Sequence, residues 1–278
     1  MSTPPSPDAP WSLAGKTAIV TGGSRGIGQA ISLHFARKGI SKLAITYASN
    51  VKAAEATLEQ LRGLGVRDVV AVQADALDPE FGSKIISEVL EKFGTNVIDI
   101  LVNNAVVADQ SKLLPIKDTT LENFLEIMQG NVYAPLSLTT KVLGHLPEYG
   151  GRVVNISSVL AYQGNSDPAM TYGASKATLQ AYTRSLADSF GKSTRATFNS
   201  VIVGLTATDS IKTTRETNLV PESFFEAQIA DTTAADRIAV PDDIAYIVGF
   251  LSSEEGRWVN GAAVSANGGN KLVMPALG

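Results

Sequence analysis

The sequence predicts an α/β protein in which one parallel sheet is covered by helices on both faces. Short apolar runs alternate with amphipathic segments, a glycine-rich turn joins the first run to the first helix, and no internal repeat or linker divides the 278 residues. Parallel strands with both faces buried are expected to be apolar almost throughout. We therefore predict one domain over residues 13–278, after a flexible tail over residues 1–12 that is rich in proline and serine.

Composition excludes several classes of function. The net charge is −4, with 23 Lys and Arg against 27 Asp and Glu, and no basic cluster suggests a nucleic-acid partner. Cysteine is absent and only two histidines occur, so we predict no disulfide, cysteine nucleophile or metal site. No apolar stretch reaches the roughly 18 to 20 residues of a membrane helix, and the N-terminus lacks a signal pattern. We expect a soluble, cytoplasmic protein without a membrane partner.

The first strand is predicted over residues 16–20 and ends in the motif TGGSRGIG at 21–28, from which a helix continues to Gly39. Gly22 permits a tight turn, Gly26 lets the backbone approach a pyrophosphate, and Gly28 lets helix and strand pack closely. The free N–H groups of the helix N-terminus then face the anion. This context favours dinucleotide binding over an ordinary glycine-rich turn.

The second strand, residues 42–47, leads into the turn Tyr47-Ala48-Ser49-Asn50. An NAD-preferring enzyme usually carries an acidic residue near this point to bind the ribose 2′-hydroxyl, and this chain has none. Arg25 instead offers a guanidinium to a 2′-phosphate, with Ser49 and Asn50 as small donors beside it. We therefore predict NADPH as the cofactor; the alternative is that Arg25 is only a solvated turn residue.

The remaining elements continue the alternation. We predict helix 51–64, strand 69–74, helix 79–93, strand 97–102, helix 119–146, strand 151–157, a helix from Tyr172 to about Phe190, strand 196–203 and strand 262–266. Asp75 directly follows the third strand, where it is positioned to bind an adenine amino group. Its alternative role is to cap the next turn.

Tyr172 and Lys176 stand four positions apart on a predicted helix, so their side chains lie on the same face. A phenol with a pKa near 10 is a poor acid or base at neutral pH, but a neighbouring ammonium stabilises the phenolate. Ser158, at the end of the fifth strand, offers a hydroxyl to a substrate oxygen. Together the three residues suit proton transfer to a carbonyl oxygen, although a Tyr-x-x-x-Lys pattern alone is common by chance.

Read in order, the motifs of this chain resemble those of the short-chain dehydrogenase/reductase family over about residues 13–270. They are TGGSRGIG at 21–28, Asp75, NNA at 103–105, Asn131, Ser158, YGASK at 172–176, Asn199, the segment 204–208, Arg237 with PDDIA at 241–245, and NGG at 267–269. The turn at 47–50 together with Arg25 is similar to that of NADPH-dependent ketoreductases of the trihydroxynaphthalene reductase type.

The resemblance implies a Rossmann-type, doubly wound domain with a seven-stranded parallel sheet and a catalytic tetrad. In that tetrad Ser158 orients the substrate carbonyl, and Tyr172 donates a proton while the nicotinamide gives a hydride. Lys176 holds the ribose hydroxyls and lowers the pKa of Tyr172. Asn131 kinks its helix and keeps a water in a proton relay through Lys176.

The resemblance also implies the cofactor contacts, and three departures from the family pattern accompany them. The expected contacts are Gly22, Ser24, Arg25, Gly26, Ile27, Gly28, Tyr47, Ala48, Ser49, Asn50, Asp75, Ala76, Asn104, Ala105, Val106, Tyr172, Lys176, Gly204, Thr206 and Thr208. Val106 stands where the family usually has glycine, Val203 where it usually has proline, and Ala239 where glycine is common. Val106 and Val203 either reshape the nicotinamide pocket, slow turnover or have no effect.

On the substrate side we single out Tyr162, Asp167 and Phe224. Asp167, five residues before Tyr172, either contacts a cationic or hydroxylated substrate or is an Asp-Pro turn residue facing solvent. Residues 206–236 resemble the family's variable lid, with an apolar inner face suited to a bulky ring. By the same resemblance Trp258 and residues 271–278 lie at a subunit interface of a homotetramer or homodimer.

Three functions of different classes remain open from the sequence. The first is an NADPH-dependent reductase of a small, cyclic or polyketide-like carbonyl compound. The second is a biosynthetic enzyme on the same scaffold that acts on an imine or guides a cyclisation. The third is a non-catalytic cofactor-binding protein, against which the complete set Ser158, Tyr172, Lys176 and Asn131 argues.

Overall fold

A computed structural model describes residues 9–109, 111–165, 167–216 and 221–270 of the protein, without the side chain of Ser210. Seven parallel strands form one sheet in the order β3-β2-β1-β4-β5-β6-β7. They are Thr17–Val20 (β1), Lys42–Tyr47 (β2), Asp68–Gln73 (β3), Ile100–Asn103 (β4), Arg152–Ser158 (β5), Thr197–Val203 (β6) and Ala263–Ala266 (β7). This confirms the predicted α/β fold of the Rossmann type.

Helices cover both faces of the sheet. Within the described ranges they are Gly26–Arg37 (α1), Val51–Gly63 (α2), Phe81–Phe93 (α3), Leu121–Met128 (α4), Ala134–Leu143 (α5), Met170–Thr194 (α6), Asp209–Glu216 (α7), Glu222–Ala230 (α8) and Pro241–Leu251 (α9). Short 3-10 turns occur at Ile116–Asp118, Val159–Ala161 and Glu254–Gly256. The order of the predicted strands is therefore confirmed, whereas α7, α8 and α9 were not predicted as helices.

Two apolar cores lie on opposite faces of the sheet, because successive strand residues point to opposite sides. In β1, Ala18 and Val20 belong to the core under α1 and α9, whereas Ile19 belongs to the core under α3, α5 and α6. Every residue of β1, β4, β5 and β6 is buried. The continuous apolar runs of the sequence arise from this double coverage.

The helix predicted over residues 119–146 is not one continuous α-helix. It consists of α4 and α5 joined by a π-helical turn over Gln129–Tyr133, and it ends at Leu143. Asn131 within this turn is buried and bonds the backbone of Val107, while Gly130 leaves room for the Val107 side chain. The extra residue of the π turn therefore aims Asn131 at the segment after β4, as π-bulges at functional sites often do.

Residues 9–12, which the sequence assigns to the tail, contact the body of the domain where the structure describes them. The Pro10 carbonyl accepts a hydrogen bond from Glu254 N at 3.0 Å, and the Lys38 ammonium lies 5.8 Å from the centre of the Trp11 ring. Across the described ranges, no helix is long and apolar enough to cross a membrane, and no group of three or more His, Cys, Asp or Glu side chains is arranged to hold a metal ion.

Candidate active site

The glycine turn lies at the carboxyl end of β1, beside β4, where the strand order of the sheet reverses. Gly22 has φ +62° and Gly26 has φ +54°, backbone conformations that favour glycine. A β-carbon on Gly28 would lie 2.2 Å from the Gly22 carbonyl oxygen, so the helix start packs directly on the turn. These three positions behave as the motif predicts.

The first turn of α1 is available to an anion. Arg25 occupies the N-cap in extended conformation, and no side chain caps the free N–H groups of the helix. Ser24 is buried, and its carbonyl accepts a hydrogen bond from Thr57 on α2 at 3.1 Å. Uncapped donors at a helix N-terminus beside a glycine-lined turn fit the pyrophosphate of a dinucleotide.

The predicted 2′-phosphate site is exposed to solvent. Arg25 is exposed and makes no ion pair within the described part of the chain, and Ala48, Ser49 and Asn50 are exposed beside α2. The Asn50 side-chain oxygen caps α2 by accepting from Ala53 N at 3.0 Å, which leaves its amide donor for a ligand. Arg25 thus precedes α1, and Asn50 precedes α2 just after the partly buried Tyr47 at the end of β2.

Two predicted cofactor residues have structural partners of their own. Asp75 accepts from Leu77 N at 2.9 Å, which is the turn-capping role, and its carboxylate is exposed. The Asn104 amide donates to the carbonyl oxygens of Thr21 at 2.9 Å and Gly22 at 3.3 Å. The side-chain amide of Asn104 therefore holds the glycine turn in shape.

Ser158 and Tyr172 come together at the carboxyl end of β5. Ser158 is the last residue of the strand and is 9% exposed, and its side chain lowers the pKa of Tyr172, which lies in the first turn of α6. Lys176 lies one turn further on, with only 3% of its surface exposed. Its ammonium donates to the Ile156 carbonyl at 3.0 Å and lies 5.8 Å from the centre of the Tyr172 ring.

Burial acts on these two ionisable groups in opposite directions. It raises the pKa of Tyr172 to about 12, because desolvation outweighs the hydrogen bond with Ser158. It lowers the pKa of Lys176 to about 8. Lys176 is not among the groups that shift the pKa of Tyr172 here, since its ammonium is bonded to the Ile156 carbonyl, so the expectation that it lowers this pKa stays a prediction.

Asn131 contacts two segments that border the candidate site. Its side-chain oxygen accepts from Val107 N at 2.7 Å, and its amide donates to Val107 O and to Ser175 Oγ, both at 3.1 Å. Ser175 lies between Tyr172 and Lys176 on α6. Asn131 therefore links the segment after β4 to the catalytic helix, and the π turn supplies the expected kink.

Residues 204–208 follow β6 and reach the glycine turn. A β-carbon on Gly26 would lie 3.3 Å from the Thr208 methyl group, so these two predicted cofactor residues are neighbours. Thr206 is buried, forms a β-bridge with Ala239, and donates to Gly204 O at 3.0 Å.

Two of the departures from the family pattern, both valines, have different surroundings. Val203 belongs to the apolar core on the α1 side of the sheet, so its side chain serves packing. Val106 has 45% of its surface exposed and follows the partly buried Ala105. Of the two, Val106 is the one whose exposed side chain can affect binding.

The predicted substrate residues differ from one another in exposure and in contacts. The exposed Asp167 accepts from Ile116 N at 2.8 Å and so joins the segments before α4 and α6. Phe224 is 44% exposed and packs edge-on against Phe225, which is the buried member of the pair. Tyr162 is partly buried, which raises its pKa. Three predicted parts lie outside the described residues: lid residues 217–220, the C-terminal residues 271–278, and Ser166.

Sequence reasoning did not single out Thr21 as a site residue. Its hydroxyl accepts hydrogen bonds from the backbone N–H groups of Asn104 and Ala105, both at 2.9 Å, and it is 1% exposed. It therefore fixes the end of β4 to the glycine turn. The signal was present, because threonine opens the glycine motif, but only the pairing of β1 with β4 gives it a partner.

Comparison with known proteins defines the class to which this fold and site belong. The family model described as "Enoyl-(Acyl carrier protein) reductase" matches residues 22–271. Together with the relatives below, this shows that the chain belongs to the short-chain dehydrogenase/reductase family.

Three similar proteins illustrate the relationship. The short chain dehydrogenase penD of Penicillium thymicola is 54% identical over 97% of this chain and 96% of its own length. The hydroxynaphthalene reductase arp2 of Aspergillus fumigatus is 35% identical over 90% of both chains. The solved structure of the angucycline C-6 ketoreductase LanV with bound NADP is 34% identical, covers 94% of this chain and 97% of that one, and has a TM-score of 0.82.

Proposed function

We propose that this protein is an NADPH-dependent oxidoreductase that reduces the carbonyl group of a small, cyclic or polyketide-like molecule, with Tyr172 as the general acid. One observation carries the proposal: the buried Lys176 ammonium, bonded to Ile156 O on β5 at 3.0 Å, lies 5.8 Å from the centre of the Tyr172 ring, and Ser158 ends that strand. Two hydroxyls that meet beside a cation suit a carbonyl oxygen on which negative charge develops.

The residues around the β1–β4 crevice fit a dinucleotide. Gly22, Gly26 and Gly28 leave space that a β-carbon would fill, and the uncapped start of α1 offers N–H donors to the pyrophosphate. Arg25, with no ion pair in the described ranges, is the candidate partner of a 2′-phosphate. When bound, the nicotinamide supplies the hydride.

The protonation states of the site favour reduction at neutral pH. Because the pKa of Tyr172 is raised to about 12, its phenol keeps its proton and is ready to donate it. Ser158 is positioned to hold the same substrate oxygen through its hydroxyl. Lys176 carries its charge below a pKa of about 8, and that positive charge stabilises the negative charge of the phenolate after the proton leaves.

The substrate class rests on relatives and on composition of the lid. One relative is named for reduction of hydroxynaphthalene and a neighbouring structure for ketoreduction of an angucycline. In this chain α8, within the predicted lid, carries Phe224, Phe225 and Ile229. A ring-shaped ketone is consistent with both, and a panel of cyclic and aromatic ketones is the corresponding substrate set.

Replacing the general acid tests the proposal. Tyr172→Phe should lower kcat for ketone reduction by about 10² to 10⁴, because general acid catalysis contributes a factor of that size. NADPH affinity should stay nearly unchanged. NADPH oxidation is followed by absorbance across the ketone panel, and cofactor affinity by fluorescence titration.

Tyr182→Phe is the matched control, since Tyr182 lies on the same helix and is 46% exposed. It should keep the parent kcat. A Tyr172→Phe variant with the full parental rate would exclude Tyr172 from the mechanism. Bound NADPH without turnover of any panel member would support the non-catalytic alternative.

We also propose that the chain assembles as a homotetramer or homodimer. Trp258 is 95% exposed, and Tyr246 and Phe250 on the outer side of α9 are 55% and 39% exposed. Aromatic side chains exposed on one region of a monomer are typical of association surfaces.

A further inference from the structure

We propose that Asn165 is a positioning residue that fixes Ser158 relative to Tyr172, and that position 173 is glycine because the Asn165 side chain fills the space of a β-carbon there. Asn165 lies in the segment between β5 and α6, which joins the two hydroxyl-bearing residues. The inference rests on the proposed function, because Ser158 and Tyr172 are the groups whose spacing it concerns.

The first half of the connection runs from Ser158 to Asn165 through one residue. Ser158 Oγ accepts a hydrogen bond from Leu160 N at 3.2 Å. The carbonyl oxygen of the same residue, Leu160, accepts from Asn165 Nδ2 at 2.8 Å. Leu160 is therefore held on both sides, by the catalytic serine through its N–H and by the asparagine through its C=O.

The second half of the connection runs from Asn165 to the residue after Tyr172. A β-carbon on Gly173 would lie 2.0 Å from Asn165 Nδ2 and 2.7 Å from the Leu160 carbonyl oxygen, both closer than real β-carbons approach other atoms. Gly173 lies within the regular helix α6, so its backbone conformation does not call for glycine. The close approach of Asn165 and Leu160 is what requires glycine at position 173.

The unpaired oxygen of Asn165 argues that stability alone does not account for this side chain. Asn165 Oδ1 is buried and has no hydrogen-bond partner among the described residues. A buried acceptor without a partner destabilises a fold, and such groups are few in native proteins. An asparagine that destabilises the fold in this way, with its amide in contact with both Leu160 and Gly173, is consistent with a positioning role.

The opposite end of α6 provides an internal comparison. There a β-carbon on Gly191 would lie 2.6 Å from Asn260 Nδ2, and Asn260 Oδ1 accepts from Phe198 N at 2.9 Å. Asn260 thus packs on a helical glycine as Asn165 does, but at the start of β6, where none of the candidate catalytic residues lies. The pair Asn260 and Gly191 is therefore a matched control.

The experiment is a double-mutant cycle over Asn165→Ala and Gly173→Ala, with kcat, KM for NADPH and thermal unfolding measured for each protein. Asn165→Ala should lower kcat about 10-fold to 100-fold at unchanged KM for NADPH, since small displacements of catalytic groups cost that much. Gly173→Ala should lower kcat at least as far. The fold loss of kcat in the double variant should be smaller than the product of the losses in the two single variants. The reason is that the new methyl group enters the space that the amide vacates.

Asn260→Ala and Gly191→Ala should lower the unfolding temperature and leave kcat at the parental value. Full kcat in Asn165→Ala, or losses in the double variant that multiply independently, would overturn the proposal. If Gly173→Ala does not fold, Asn165→Ala and Asn260→Ala still decide between positioning and packing. In that case a loss of kcat confined to Asn165→Ala supports positioning, and equal behaviour of the two contradicts it.

Amide hydrogen exchange over residues 158–165 separates this proposal from the proposed function. Faster exchange in Asn165→Ala than in Asn260→Ala supports the connection through Leu160 even if the parent reduces no ketone in the panel, an outcome that would count against the reductase assignment alone. Unchanged exchange in Asn165→Ala would overturn the positioning role whether or not the parent is active.

Discussion

At the scale of single residues, the site is shaped by burial of groups that would otherwise be charged. Lys176, 3% exposed, has its pKa lowered to about 8, and Tyr172 has its pKa raised to about 12. Desolvation therefore brings both groups closer to their neutral forms. Arg25 is the contrasting case, because it stays exposed in the described structure and makes no ion pair there, so its charge is available to a ligand.

Arg25→Ala should weaken NADPH binding about 10-fold to 100-fold, the size expected for charge-assisted hydrogen bonds to a phosphate. NADH binding should be nearly unaffected, because NADH lacks the 2′-phosphate. Fluorescence titration of both cofactors measures the difference. Arg37→Ala, at the exposed far end of α1, is the control and should leave both affinities unchanged. Equal losses for the two cofactors would contradict the assignment.

At the scale of elements, the segment between β4 and α4 is held at three points. Asn131 bonds both backbone groups of Val107. Lys112 is bonded through its ammonium to Glu126 of α4 at 2.7 Å and through its carbonyl to another α4 side chain. Asp167 accepts from Ile116 N at 2.8 Å. One of these contacts comes from the π turn, one from α4, and the third from the segment that leads into α6.

Asp167→Ala should raise KM for the ketone about 2-fold to 10-fold with little change in kcat, because a single exposed hydrogen bond to the substrate-side segment is lost. Asp167→Asn keeps an acceptor oxygen and should fall close to the parent. Asp118→Ala, an exposed carboxylate removed from the same segment, should change neither constant. If Asp167→Asn is as impaired as Asp167→Ala, the carboxylate itself contacts the substrate.

At the scale of the whole molecule, α1 and α9 pack over one face of the sheet, and His34 lies between them. A β-carbon on Gly249 would lie 2.4 Å from the His34 ring, which also packs edge-on against Tyr246 at 5.1 Å. His34 is therefore partly buried. Burial, with help from Lys38 and Arg37 and opposed by Asp242, lowers its pKa to about 4.

This burial makes stability depend on pH. The folded state holds His34 neutral down to a pKa of about 4, whereas the unfolded chain binds the proton near the ordinary histidine pKa of 6.5. The unfolded state therefore binds more protons between these values, and the free energy of unfolding falls as the pH falls through that window. After allowance for solvent screening of a partly exposed group, we expect a loss of about 1 to 2 kcal/mol.

Urea unfolding at pH 7 and pH 5 measures this effect in the parent, in His34→Gln and in His145→Gln. The difference in the free energy of unfolding between pH 7 and pH 5 should be smaller in His34→Gln than in the parent, by the amount assigned to His34. His145 is the second of the two histidines, so its variant serves as the control. A pH-dependence that is the same in His34→Gln and in the parent would rule out His34 as its source.

The sequence by itself determined the order of the strands and helices along the chain and the residues that form the cofactor turn. Apolar periodicity locates β1 to β7 because both faces of a parallel sheet are buried, and that is a local property of each run. The glycines of 21–28 were interpretable for a similar reason, since a positive φ at Gly22 and Gly26 is a demand on the backbone of the residue itself.

The tertiary structure decided which polar atoms are already occupied, because hydrogen bonds between distant segments leave no local pattern. The sequence left Asp75 open between adenine binding and turn capping and assigned Asn104 no structural partner, and each side chain is bonded to backbone after a strand. The sequence marked Asn165 and Gly173 only as neighbours of Tyr172 in the chain. Their contact exists because the segment after β5 folds back onto the start of α6, and spacing along a sequence does not encode that approach.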